Sequence, residues 1–97
     1  VVIERARVQL GRLINAPSES IVFTSGGTES DNLALLGVAR QYDRPRHMII
    51  SGVEHSAIAE TANWLESTGW QITRLAVDSQ GRVNPFDLQT ALRPDTV

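Results

Sequence analysis

Ile21-Val22-Phe23-Thr24-Ser25-Gly26-Gly27-Thr28-Glu29-Ser30-Asp31-Asn32 is the stretch on which the fold turns. A β-branched, apolar run reads as a buried strand over Ser20 to Thr24. It ends in two glycines and a threonine, and a helical pattern starts at once. A strand that passes through glycines into a helix presents free backbone N–H groups at the positive end of the helix dipole, and glycines let an anion approach. By itself, Ser25-Gly26-Gly27-Thr28 also reads as a tight turn whose glycines serve packing only. It is not Walker A, which needs a lysine before Ser or Thr, and it lacks the third glycine of a dinucleotide fingerprint.

On the N-terminal side, Ile3, Ala6, Leu10, Leu13 and Ile14 recur at helical spacing, and Ala16-Pro17-Ser18 stops that helix. On the C-terminal side, a helix is expected from Thr28 to about Gln41, with Thr28 and Asp31 at capping-box spacing. Its apolar residues Leu33, Ala34, Leu35, Leu36, Val38 and Ala39 wrap most of the circumference, so burial on more than one side is expected. Asp43-Arg44-Pro45-Arg46 is a turn. A second strand follows over His47–Ser51, then a loop through Gly52-Val53-Glu54-His55.

A third helix spans about Ser56–Ser67, with Ile58, Ala62 and Leu65 on one face and Gly69 as its stop. A third strand covers Gln71–Val77 and a turn Asp78–Gly81. Asn84, Pro85 and Asp87 open a last helix that ends near Arg93. The order α-β-α-β-α-β-α predicts an α/β fold, a parallel sheet with flanking helices. Ligands of such sheets sit at the carboxyl ends of the strands. Gly26, Gly27 and Thr28 follow the first strand, and Glu54 and His55 follow the second, so both groups are expected on one rim.

Thr28 either caps its helix or gives its hydroxyl to a phosphate oxygen. His55, in a loop at that rim, can stack on a planar ligand and move a proton near neutral pH. The bland alternative is an exposed histidine bonded to backbone. His47, at the entry end of its strand, reads as ordinary surface. Glu54 reads as a solvated carboxylate, and Trp64 and Trp70 read as packing residues.

Composition narrows the classes. At 97 residues the chain is at most one domain. The nine basic residues are all arginines and are scattered, and the net charge is −2, which gives no basic face for nucleic acid. No apolar run approaches the roughly 20 residues that span a bilayer. The absence of cysteine excludes disulfides and thiolate metal sites and fits a cytoplasmic setting. The absence of lysine is equally consequential, because the cradle cannot be completed by a covalent amine from these residues. Val1 opens inside a helical pattern and Val97 stops where a strand could begin, so residues 1–97 are expected to be a piece of a larger domain, truncated at both ends.

Three segments carry a resemblance: Ile21 to Asn32, Val53-Glu54-His55-Ser56-Ala57-Ile58, and Val77-Asp78-Ser79-Gln80-Gly81-Arg82-Val83. Together they resemble the pyridoxal-phosphate-dependent cysteine desulfurases of the NifS/IscS type, in the class V aminotransferase group. The likeness runs through nearly the whole chain. It implies the early part of the large domain of the aspartate-aminotransferase type, the architecture of fold type I pyridoxal-phosphate enzymes.

The resemblance also implies site roles. Gly27 and Thr28 would bind the phosphate of pyridoxal 5′-phosphate. His55 would stack on its pyridine ring and assist proton transfer as the substrate joins the cofactor. The implied reaction takes sulfur from L-cysteine, leaves L-alanine and a persulfide on an enzyme cysteine, and feeds iron–sulfur cluster or thio-cofactor assembly through a sulfur acceptor or scaffold protein. A homodimer is implied. The family's lysine, persulfide cysteine and pyridine-facing aspartate have no counterpart in this chain, so the fragment alone is expected to be inactive. Two other readings stand beside this one. One is a selenocysteine lyase or class V transaminase; the other is a small anion- or partner-binding module that catalyses nothing.

Overall fold

Residues 1–97 are described by a computed structural model. Four helices, α1 (Val2–Ile14), α2 (Gly27–Ala39), α3 (Ser56–Ser67) and α4 (Pro85–Ala91), accompany two strands, β1 (His47–Ser51) and β2 (Gln71–Leu75). The strands pair in parallel, with His47 opposite Gln71 and Ser51 opposite Leu75. This is the expected βαβ unit, with α3 as its crossover.

Side-chain alternation divides the sheet faces. Met48, Ile50 and Ile72 point to α2 and α3, where Ala39, Ala62, Leu65 and Trp70 complete the core. Tyr42 meets Trp70 edge-on, with ring centroids 6.5 Å apart. Leu65 and Ala62 come from the α3 face that the sequence marks as apolar, and Gly69 stops that helix at φ 109° with its N–H on Glu66 O.

The opposite face carries the largest departure from expectation. His47 is fully buried. Its Nδ1 shares a hydrogen bond with Thr96 Oγ1 and its Nε2 one with Thr73 Oγ1, both at 2.6 Å. The end of a strand is exposed only when nothing packs beside it. Here residues 93–97 run alongside β1: His47 N–H donates to Asp95 O, Val97 N–H donates to His47 O, and Thr96 forms a parallel bridge with His47.

The strand expected at Ser20–Thr24 does not form. Ser18–Ser20 is a short 3₁₀ turn, Ile21 is extended at its end, and Val22 and Phe23 are exposed. A strand exists only with a neighbour, and no segment of these 97 residues pairs with this one. Its tie is instead Arg7 of α1, which donates to Ile21 O and lies 5.1 Å from the Phe23 ring centre. The third expected strand stops at Leu75 rather than Val77, because the Asp78 carboxylate accepts from the N–H groups of Gln80 and Arg82 and from Arg82 Nε. That clamp turns the chain and sets Val77 against Val83 in an antiparallel bridge.

Helix ends shift too. α2 starts at Gly27, not Thr28, and no Thr28–Asp31 capping box forms; it ends at Ala39 rather than near Gln41. Burial of α2 is one-sided: Ala39 is buried, with Leu35 and Leu36 packed beside it, while Leu33 and Val38 are exposed. α4 is capped by Asn84 as expected, but it ends at Ala91 rather than near Arg93. Of the two tryptophans only Trp70 packs; Trp64 is 56% exposed.

α1 keeps an open apolar side, with Ile3, Leu13 and Ile14 exposed. The radius of gyration of 15.8 Å exceeds the roughly 13 Å of a compact chain of this length, as a protruding α1 requires. No helix is long and apolar enough to cross a membrane.

Candidate active site

Two contacts fix how α2 and α3 lie. Near their starts, Thr61 Oγ1 donates to Asn32 Oδ1 at 2.5 Å. Just past their ends, Tyr42 meets Trp70. The helices therefore run side by side in the same direction, and their N-termini share one end of the layer. Four residues separate the end of β1 from the start of α3, so this is the carboxyl end of the sheet. Gly27 and Thr28 at the first helix start, and His55 at the second, are brought to that end. The strand through Thr24 that was expected to put them there is not needed.

The Gly26–Glu29 turn is open toward solvent. Gly26 is the N-cap of α2 and supplies no side-chain bond. The N–H groups of Gly27, Thr28 and Glu29 have no partner within the chain, and the first ladder bond runs from Ser30 N–H to Gly26 O. A Cβ built on Gly26 or Gly27 would meet nothing within 4 Å. The Thr28 side chain is exposed and caps nothing. Three unpartnered amide donors, a free hydroxyl that can also donate, and room beside them stand together at a helix N-terminus, and that chemistry fits a phosphate monoester.

Two pairs of bonds hold this turn, and the sequence reading did not find them. Glu29 Oε2 accepts from Ser25 N–H at 2.9 Å and from Ser25 Oγ at 2.5 Å. Thr24 Oγ1 donates to Gly26 O at 3.0 Å and lies 2.5 Å from Ser30 Oγ. The visible signal was a glutamate in the first helical turn four residues after a serine, the reach-back of a capping box displaced by one residue.

The Ser25 hydroxyl, and then its backbone N–H, hold the Glu29 carboxyl below the usual glutamate value. A carboxylate depressed in the folded state contributes stability that is complete above its unfolded pKa and is lost as pH falls through the depressed folded value. The turn is therefore expected to stay latched through the ordinary glutamate range and to loosen only in stronger acid. A carbon-detected titration of the Glu29 side chain checks this, and a midpoint at or above the usual glutamate value would contradict the latch.

His55 caps α3. Its Nδ1 accepts from Ala57 N–H at 3.1 Å. With Nδ1 an acceptor, the neutral ring carries its proton on Nε2, the nitrogen left free. The ring is exposed, so Nε2–H is available to a ligand at this end. Glu54 is exposed and accepts from Ser51 N–H at 3.4 Å rather than from His55. His47 lies at the opposite end of β1 and takes no part.

Known proteins share both the sequence and the fold. The model of the aminotransferase class-V family matches residues 1–97. A cysteine desulfurase IscS of Dictyoglomus turgidum is 49% identical over 96 residues, which are 98% of this chain and 24% of that protein. A cysteine desulfurase IscS of Pseudomonas entomophila is 47% identical over 96 residues, with the same coverages. Among solved structures, DndA from Streptomyces lividans superposes with a TM-score of 0.91 at 39% identity, covering 98% of this chain and 27% of that one. SspA in complex with cysteine does so with a TM-score of 0.90 at 35% identity, covering 97% and 27%. The chain thus spans about a quarter of the length of the relatives it matches. Matched by the family model from Val1 to Val97, and carrying the α/β unit those relatives share, the chain belongs to the aminotransferase class-V family.

Proposed function

We propose that the protein carrying these residues is a pyridoxal-phosphate-dependent cysteine desulfurase, and that residues 1–97 are the phosphate-holding part of its large domain. One observation supports this above the rest: the unpartnered amides of Gly27 and Thr28 share an end of the layer with His55, in a chain 49% identical to a cysteine desulfurase IscS. The backbone N–H groups of Gly27 and Thr28, with the Thr28 hydroxyl, would hold the cofactor's phosphate. The His55 ring would lie over the pyridine, keep water off that face, and carry a proton on Nε2. When bound, pyridoxal phosphate supplies the electron sink for bond changes at the amino acid.

In the proposed reaction the Cβ–Sγ bond of L-cysteine breaks, the sulfur passes to an enzyme cysteine as a persulfide, and L-alanine leaves. Neither that cysteine nor a cofactor-holding lysine occurs among these residues. Both belong to further parts of the protein in this reading, and the 97 residues alone are inactive. A homodimer in the cytoplasm that hands sulfur to an iron–sulfur scaffold or thio-cofactor acceptor completes the proposal.

The test uses the intact protein. Sulfide released from L-cysteine in the presence of cofactor and reductant, above the rate of free cofactor, is expected; release at the free-cofactor rate would sink the reading. Thr28→Val removes only the hydroxyl. It is expected to weaken retention of pyridoxal phosphate by about 1–3 kcal/mol, roughly 5- to 150-fold, the worth of one hydrogen bond to a charged group. An unchanged dissociation constant would remove Thr28 from the phosphate site.

A further inference from the structure

The start of α2 leaves undone what a helix start usually does for itself. α3 is capped by His55 and α4 by Asn84, whose Oδ1 accepts from Phe86 N–H at 2.9 Å. The N-cap of α2 is Gly26, which has no acceptor to offer. Glycine is usually explained by sterics or by positive φ, and neither applies. A Cβ at Gly26 would meet nothing within 4 Å, and φ 168° with ψ −178° is extended backbone open to any residue. Helix stability does not favour glycine either, because serine or asparagine is the better N-cap.

Capping consumes donors. A serine or asparagine oxygen at the N-cap accepts from the second or third helical N–H, here Thr28 or Glu29. The turn is already held by other means. The Ser25–Glu29 and Thr24–Ser30 pairs tie the chain on both sides of Gly26, and none of their bonds uses an amide of Gly27, Thr28 or Glu29. The loop is thus fixed while its amides stay unspent.

We infer that Gly26 is a positioning residue that works by withholding a capping oxygen, so that the Thr28 and Glu29 N–H groups remain free for the cofactor's phosphate. The inference rests on the cofactor site proposed above. It predicts that phosphate affinity and helix capping compete at this residue.

In the intact protein, Gly26→Ser and Gly26→Asn supply a neutral acceptor, and Gly26→Ala supplies bulk without one. Dissociation constants for pyridoxal 5′-phosphate and for inorganic phosphate are read by fluorescence and calorimetry, alongside the melting temperature of the cofactor-free protein. The serine and asparagine variants are expected to bind both probes about tenfold or more weakly, while melting no lower than the parent. The alanine variant is expected to bind within about threefold of the parent.

Equal weakening by alanine overturns the inference in favour of simple crowding. Unchanged affinity in the serine and asparagine variants overturns it as well, as does a loss of affinity that both accompany with a lower melting temperature. If the parent itself binds neither probe, it is the cofactor site that fails, and the two failures are told apart by that one measurement.

Discussion

Replacing His55 with alanine in the intact protein is expected to slow sulfide release from L-cysteine by about 10²- to 10⁴-fold, the range for removal of a positioned acid–base group. Retention of the cofactor should change far less, because the proposed phosphate site at Gly27 and Thr28 lies at a different helix start. The same substitution deletes the cap of α3 and costs about 1 kcal/mol of stability. Asparagine separates the two effects. His55→Asn can still accept from Ala57 N–H, so α3 stays capped, yet it cannot carry a proton at neutral pH. Turnover in the asparagine variant should stay as low as in the alanine variant while the melting temperature recovers. Restored turnover would reduce His55 to a helix cap and take the chemistry away from it.

The second large effect lies at the other end of the same strand. His47→Ala is expected to destabilise the intact protein by about 3 kcal/mol. It leaves a cavity at a fully buried position and strips hydrogen-bond partners from both Thr73 and Thr96. His47→Leu refills much of the volume and should recover only part of the loss, since Thr73 loses its imidazole partner and Thr96 keeps only the Arg93 N–H. Urea unfolding reads both. A cost below about 1 kcal/mol for the alanine variant would mean that this three-residue junction does not hold residues 93–97 to the sheet.

The two histidines show what the sequence could and could not reveal. His55 follows a strand and precedes a helix within the local chain, so its place at the carboxyl end of the sheet was legible from order alone. His47 is separated from Thr73 by a helix and from Thr96 by nearly half the chain. Nothing local distinguishes a buried histidine whose partners arrive from afar from an exposed one. The same distance rule explains Ser20–Thr24. Its composition is that of a strand, but pairing depends on a neighbour, and sequence pattern reports only the willingness to pair.

The α2 start was read as an open turn, which its unpartnered amides bear out, and as a capping box, which does not form. Thr28 and Asp31 have the spacing, but the chain enters the helix one residue earlier, which leaves glycine at the cap. One-sided burial of α2 was hidden for a related reason: a helix apolar on most sides shows that it can be covered, not which sides are covered here.

One consequence follows from the pairing of Asp95–Val97 with His47. β1 is flanked on both sides, by β2 along its length and by the chain's last residues at its start. An extended peptide or a misfolded second copy could therefore add along β1 only beyond His47, or along the outer margin of β2. That margin is five residues long, and Arg74 stands on it, braced by Glu66 and Asn63. A short border that carries a fixed cation is a poor template for runaway strand addition.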